Sequence, residues 1–225
     1  MSTAMGINDS GQVTGDAQTV SGSFHPFVYA GGSMLDLGTL GGSNGSGTAI
    51  NVSGQIAGFA ETSSGSTHAF RYSSGTMVDL GVLAGGSFSA GFGIDNNGQV
   101  VGFADISGLT DSRAFIYTGG TMHDLNSLVV SGLGGMTLTI ADDINDVGQI
   151  VGTGCLGDYV SGLPPRSSLD RCVSKSGTGV VTMDVARHGT DDNWRCNAAP
   201  SSLISFEHSA ALCADRFVIR QRVLL

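Results

Sequence analysis

An all-β fold of tandem four-stranded meander repeats is what this sequence predicts, and three observations lead there. The run Ile7-Asn8-Asp9-Ser10-Gly11-Gln12-Val13-Thr14-Gly15 returns from Ile50 to Gly58, from Ile94 to Gly102 and from Ile144 to Gly152, at start-to-start spacings of 43, 44 and 50 residues. Two further motifs travel with it in fixed order. His25-Pro26-Phe27-Val28-Tyr29 matches His68-Ala69-Phe70-Arg71-Tyr72 and Arg113-Ala114-Phe115-Ile116-Tyr117, and Met34-Leu35-Asp36-Leu37-Gly38 matches Met77-Val78-Asp79-Leu80-Gly81 and Met122-His123-Asp124-Leu125-Asn126. A period of this length belongs to propeller blades and solenoid coils. Finally, 36 glycines and only 13% charged residues suit short strands joined by tight turns, because glycine reaches positive φ without steric cost.

Residues 47–86 serve as the representative unit. Gly47 to Asn51 is a first strand, Asn51-Val52-Ser53-Gly54 a turn with glycine available for the left-handed position, and Gln55 to Thr62 a second strand. Ser63 to Thr67 is a polar loop. His68 to Tyr72 alternates with the period of two of a half-buried strand, and Ser73-Ser74-Gly75 turns the chain into a fourth strand from Thr76 to Leu83, from which Met77, Leu80 and Leu83 reach the core. Four short strands in this length make one propeller blade. The units lie near 4–43, 47–86 and 90–128, with a half unit at 136–152; three and a half blades predict an open arc, because about four to eight are needed to close a ring. A β-solenoid is the alternative, disfavoured by the long polar loops.

The recurring residues read as anchors. Gly11, Gly54, Gly98 and Gly148 suit the hairpin turn, while Asn8, Asn51, Asp95 and Asn145 can hydrogen-bond its backbone through a short side chain. Phe27, Phe70 and Phe115 give each unit a large apolar anchor against its neighbour. Asp36, Asp79 and Asp124 are expected to bond backbone amides at a strand end.

This order of motifs, with Ile-Asn-x-x-Gly-Gln-(Val/Ile)-x-Gly, His68-Ala69-Phe70 and a closing Met77-x-Asp79-Leu80-Gly81, resembles the HAF-repeat proteins, a bacterial group of probable extracellular repeats. The likeness covers residues 1–152. It implies an all-β, secreted or surface-borne protein with no activity known for the family as a whole, and it carries over no catalytic residue. Pro26 and Arg113 depart from the triplet, so no ligand role of the histidine is shared by all units. The fourth unit stops at Gly152, where another such strand is expected.

Composition changes at that point. Residues 1–152 hold two basic residues, Arg71 and Arg113, against twelve acidic ones; residues 153–225 hold eight basic residues, all four cysteines and the single tryptophan. The second stretch reads as an irregular tail, either a small cap or the product of a shifted coding frame, in which case it is disordered. Cys155 and Cys172 are spaced like Cys196 and Cys213, and disulfides among them are open in three connectivities. Met1 to Asn8 read as the interior of a unit and not as a secretory signal, so a start in mid-unit is expected, and no apolar run is long enough to span a membrane as a helix.

The net charge of −9 argues against nucleic acid and makes any electrostatic partner cationic. Gly41-Gly42-Ser43-Asn44-Gly45 satisfies a hydrolase nucleophile pattern, but no helix follows and it reads as a loop between units. His25 and His68 share a phase, yet the third position is Arg113, so they read as strand histidines satisfied by backbone rather than metal ligands. Asp95-Asn96-Asn97-Gly98 and the acidic turn from Asp142 to Asp146 lack the downstream glutamate of a calcium loop; they read as turn chemistry, with weak surface calcium the one cofactor left open. Tyr29, Tyr72 and Tyr117 complete the apolar face of their strands, the alternative being glycan contacts. The expected role is a non-catalytic extracellular or cell-surface scaffold that presents loops to a protein or glycan, with self-association through open edge strands. A polysaccharide hydrolase or lyase of propeller type and a non-functional fragment of a longer repeat protein are the alternatives.

Overall fold

The computed structural model describes residues 1–106, 109–129, 136–156, 181–188, 193–197 and 215–223, with side chains placed in 1–106, 112–129 and 136–155. Its architecture is all-β. Three four-stranded antiparallel meanders follow one another: β1 (Ser2–Ile7), β2 (Val13–Gln18), β3 (Phe24–Ala30) and β4 (Ser33–Asp36); then β5 (Gly41–Ile50), β6 (Ile56–Thr62), β7 (Thr67–Ser73) and β8 (Thr76–Asp79); then β9 (Ser89–Ile94), β10 (Val100–Ile106), β11 (Leu109–Thr118) and β12 (Thr121–Asp124). A one-turn helix, α1 (Leu125–Leu128), leads to β13 (Met136–Ile144) and β14 (Ile150–Leu156). The first strand of each sheet lies against the sheet before it: β5 packs on β1, β2 and β3, β9 on β5, β6 and β7, and β13 on β9, β10 and β11. This is the stacking of propeller blades around an unclosed arc.

Some boundaries differ from those read in the sequence. The fourth strand of the second unit ends at Asp79 rather than Leu83, because the Asp79 carboxylate turns the chain by accepting from the Gly81 N–H. The Gly41-Gly42-Ser43-Asn44-Gly45 stretch is no loop; it starts β5, with a register shift between Gly41 and Gly45. β14 runs from Ile150 through the compositional boundary at Gly152 to Leu156, so the break in composition is not a break in the strand. Beyond it, β15 (Val181–His188), β16 (Asn193–Asn197) and β17 (Asp215–Val223) join the fourth sheet in the order β13-β14-β17-β15-β16. This order does not restore the meander, since β15 and β17 pair in parallel.

Packing between sheets explains the repeated apolar residues. Ile50, Ile56 and Phe70 of the second unit, with Tyr72 and Met77, close on Val28 and Leu37 of the first. Ile94, Val100 and Phe115 of the third, with Tyr117 and Met122, close on Ala57, Ala69, Leu80 and Leu83 of the second. Val101, Ile116, Leu125 and Leu128 meet Leu138, Ala141, Ile144 and Ile150. Each unit thus turns one apolar face backwards and a different one forwards. Phe70 and Phe115 are fully buried and Phe27 nearly so. The sheets come this close because their first strands carry glycine: a Cβ at Gly47 would strike the Thr14 hydroxyl of the sheet before it, and one at Gly93 would strike Asp143 of the sheet after it.

The inner turns are tied to one another by one side chain. The Asn8 Oδ1 accepts from the Ser10 and Gln12 N–H groups, closing its own turn, while its Nδ2 donates to Gln12 Oε1 and to the Asn51 carbonyl of the next sheet at 2.9 Å. Asn51 repeats the pattern: it accepts from Ser53 and Gln55 and donates to Gln55 and to the Asp95 carbonyl at 2.9 Å. The left-handed glycine that follows, Gly54 at φ +74, lets the turn return to the ladder. Asn145, in the fourth unit, makes the same bonds within its turn.

Asn51→Ala should therefore cost more than Asn145→Ala. The first removes the bond between sheets to the buried Asp95 carbonyl, which keeps only the Gly98 N–H, as well as the bonds of its own turn, for a loss of about 2–3 kcal/mol, and the second breaks only an exposed turn, for about 1 kcal/mol. Urea midpoints followed by far-ultraviolet circular dichroism would rank them, and equal losses would contradict the bridging role of Asn51.

Candidate functional site

The meander gives every sheet two ends of different character. At one end lie the inner turns just described and the short β3–β4, β7–β8 and β11–β12 hairpins, alike from unit to unit. At the other lie the loops between the second and third strands, the connections between sheets and α1, which differ. The chemically distinctive side chains cluster at this second end.

His25 begins the third strand of its sheet and Asp36 ends the fourth, so pairing of β3 with β4 brings them together at 2.9 Å; His68 and Asp79 meet at 2.9 Å in the same way. A carboxylate only accepts, so each Nδ1 donates. Each aspartate also accepts a backbone N–H two residues on, from Gly38 or Gly81. The histidines are therefore satisfied by a carboxylate, not by backbone as the strand pattern suggested. In the third unit Asp124 keeps the backbone bond, to Asn126 N–H, as the N-cap of α1, and the histidine position is Arg113. Pro26 fits its place in the triplet for a stated reason. The equivalent Ala69 N–H points past the end of β8 and is met by the Ser89 hydroxyl, so a residue without an N–H leaves no ladder bond unmade.

Two more carboxylates hold the connections between sheets. Glu61 accepts from the Asn44 side-chain amide and the Ser43 and Asn44 N–H groups, and these bonds hold its carboxyl below the usual range. Asp105, in the same phase, is pushed up by partial burial, but the Phe88 and Ser87 N–H groups and the Ser87 hydroxyl outweigh that and leave it below the usual range. Ser43, the serine of the hydrolase-like pattern, is thus held through its backbone by a carboxylate, and among the described residues no hydrogen bond joins it to a histidine.

A shallow cavity of about 450 Å³ opens at this end between the second and third units, lined by Leu83, Ala84, Ile106, Met122, His123, Asp124 and Ser127. His123 has no histidine counterpart, its equivalents being Leu35 and Val78. Sequence periodicity pointed to the residues that recur and so passed over His123; its departure from the repeat was the available signal. Among the described residues no group of three His, Cys, Asp or Glu side chains comes together as a metal site. Asp95 and Asn97 of the oxygen-rich turn bond each other and the turn backbone. Tyr72 and Tyr117 pack into the cores between sheets, and Arg71 lies over the Tyr117 ring at 5.9 Å; Tyr29 is exposed. Of the four cysteines, Cys155 stands in β14 opposite Thr137, whereas Cys172, Cys213 and the side chain of Cys196 lie outside the described residues, and so does any pairing among them. In comparisons with known proteins, no family model matches the chain and no curated sequence resembles it.

Asp95 is the one inner-turn residue that cannot continue the chain of amides. It is 1% exposed, and burial pushes its carboxyl above the usual range, against the bonds from Gln99 and Asn97, with the charge of Asp146 adding to the rise. A carboxyl raised in the fold binds its proton more tightly there than in the unfolded chain. Its contribution is then fully present below the unfolded pKa and is lost as pH rises through the folded value. Asp95→Asn removes this penalty and supplies an N–H for the Asn145 carbonyl. The variant should be more stable by about 1–2 kcal/mol at neutral pH, the gain shrinking in acid as Asp95 takes up its proton. Thermal melts across the acid range would check this; a gain that does not depend on pH would rule out the charge as its source.

Proposed function

We propose that this chain is a non-catalytic repeat scaffold that presents its loop-bearing end to a protein or glycan outside the cell. The observation that carries this reading is the split between the two ends. Side chains that recur are committed to holding sheets and linkers, while the cavity at His123, Ala84 and Ser127 lies where the units differ. Binding residues concentrate where loops gather on a rigid framework. The order of motifs, which resembles the HAF-repeat family, supports an extracellular or cell-surface, bacterial setting. Twelve acidic residues against two basic ones in residues 1–152 favour a cationic or neutral partner. A polysaccharide hydrolase or lyase is the second reading. It would need an acid and a base converging on one substrate, and the His–Asp pairs already tie each other at separate units.

The test is a glycan and cell-surface protein binding screen with the wild-type chain and Ala84→Trp, which fills the cavity from a surface connection. Binding that falls at least tenfold in the variant, with an unchanged circular dichroism spectrum, is the expected outcome. Release of reducing ends from a bound polysaccharide by the wild type, abolished in the variant, would replace the scaffold by an enzyme.

A further inference from the structure

From the second sheet to the third, the inner turns are joined by two lateral bonds. In one, the Asn51 amide donates to the Asp95 carbonyl; in the other, the Val52 N–H donates to the Asn96 side chain. From the third sheet to the fourth the second bond is kept, the Asn96 N–H donating to the Asp146 carboxylate at 2.9 Å. The turns are therefore stacked with the same offset, which places the Asp95 carboxyl opposite the Asn145 carbonyl as the Asn51 amide stands opposite that of Asp95. The Asn145 carbonyl accepts from the Gly148 N–H of its own turn and, among the described residues, from no side chain. A carboxylate and a carbonyl are both acceptors, so this junction lacks the first bond whenever Asp95 is ionised.

A proton changes that. A carboxylic acid carries one O–H and keeps an acceptor oxygen, the same pairing of donor and acceptor that a primary amide offers. Protonated Asp95 can hold its own turn through Oδ1, which accepts from the Asn97 and Gln99 N–H groups, while Oδ2 gains a proton to give to the next sheet, as the Nδ2 groups of Asn8 and Asn51 do. The surroundings favour its uptake. Asp95 is buried, and two carboxylates approach from the fourth sheet: Asp146 in the turn and Asp143, which lies against Gly93 of β9. Arg71 of the second sheet is the cation on the other side, its guanidinium committed to the Gly98 carbonyl and the Tyr117 ring.

We propose that the junction between the third and fourth sheets is an acid-responsive joint, in which one proton on Asp95 completes the bond to the Asn145 carbonyl that asparagine makes unconditionally at the two junctions before it. In acid the fourth sheet is tied as the others are. At neutral pH it is held by its apolar face and the Asn96–Asp146 pair. The sign follows from burial: a carboxyl that binds its proton more tightly in the fold contributes fully below its unfolded pKa, and that contribution is lost as pH rises through the folded one.

Carbon-13 spectra of the whole chain, recorded as pH is lowered from neutral, follow the Asp95 carboxyl and the Asn145 carbonyl directly. The two should titrate together. Amide exchange in the turn from Asn145 to Gln149, corrected for its intrinsic pH dependence, should slow about tenfold over the same range, the weight of one hydrogen bond made away from water. Asp95→Asn should hold both signals at their acid values throughout. Asp146→Asn keeps an acceptor for the Asn96 N–H and removes a charge, so the titration should move to lower pH with the coupling intact. An Asn145 carbonyl that ignores the Asp95 carboxyl, as it would if the proton went to Gln99 within the turn, would overturn the proposal. So would exchange in Asp95→Asn that varies as steeply as in the wild type, or a titration that Asp146→Asn leaves in place.

Discussion

The arrangement of sheets depends on a primary amide used at both its ends. Asn8 and Asn51 accept two N–H groups of their own turn through Oδ1 and donate through Nδ2 to a buried carbonyl of the next sheet. An asparagine is the right size for this: its oxygen reaches two residues on, as in an Asx turn, and its nitrogen still has two protons to give. Each of these carbonyls also accepts from the glycine N–H of its own turn, and the amide's bond, made away from water, fixes where the next turn must lie.

Much else follows from that spacing. Because the turns are held at a constant offset, the first strand of each sheet lies against the previous sheet. Glycine then fits at Gly47 and Gly93, where a Cβ would strike Thr14 of the sheet before or Asp143 of the sheet after. Where a unit departs from the pattern, a neighbour compensates. Asp95 cannot donate, and Asn96 is instead bound by Asp146 of the fourth turn. In the third unit Asn126 replaces the glycine at Gly38 and Gly81, and its amide pairs with both the N–H and the carbonyl of Leu138, as a strand residue would.

The division of labour between the two ends of each sheet has the same origin. Turns tied to their neighbours lose a buried bond between sheets when they vary, as at Asp95, so most variation lies in the loops and connections at the far end. There the Glu61 and Asp105 carboxylates clamp the incoming linker through its own N–H groups, which leaves side chains such as His123 free to differ. Histidine and aspartate in that position are a paired clamp in two units and an arginine with a helix cap in the third, and a feature replaced so readily is a poor candidate for chemistry shared by all units.

By itself the sequence determined the period, the number of strands in a unit, the turn residues and the buried phenylalanines, because each of these rests on local rules: alternation along a strand, positive φ at a turn, a large apolar side chain once per unit. It misplaced what depends on a partner distant in the chain. The strand at Gly41 to Gly45 looked like a loop because glycine and serine have little strand preference, and bonds to the Glu61 carboxylate and pairing with β6 hold it extended. The partner of His68 is eleven residues away and appears only when β7 and β8 pair. Above all, the second bond of Asn8 reaches across a whole repeat to Asn51, and no local rule distinguishes an asparagine that closes a turn from one that also joins two sheets. The tertiary structure decided that, since the carbonyl it binds is brought within reach only when one sheet stacks on the next.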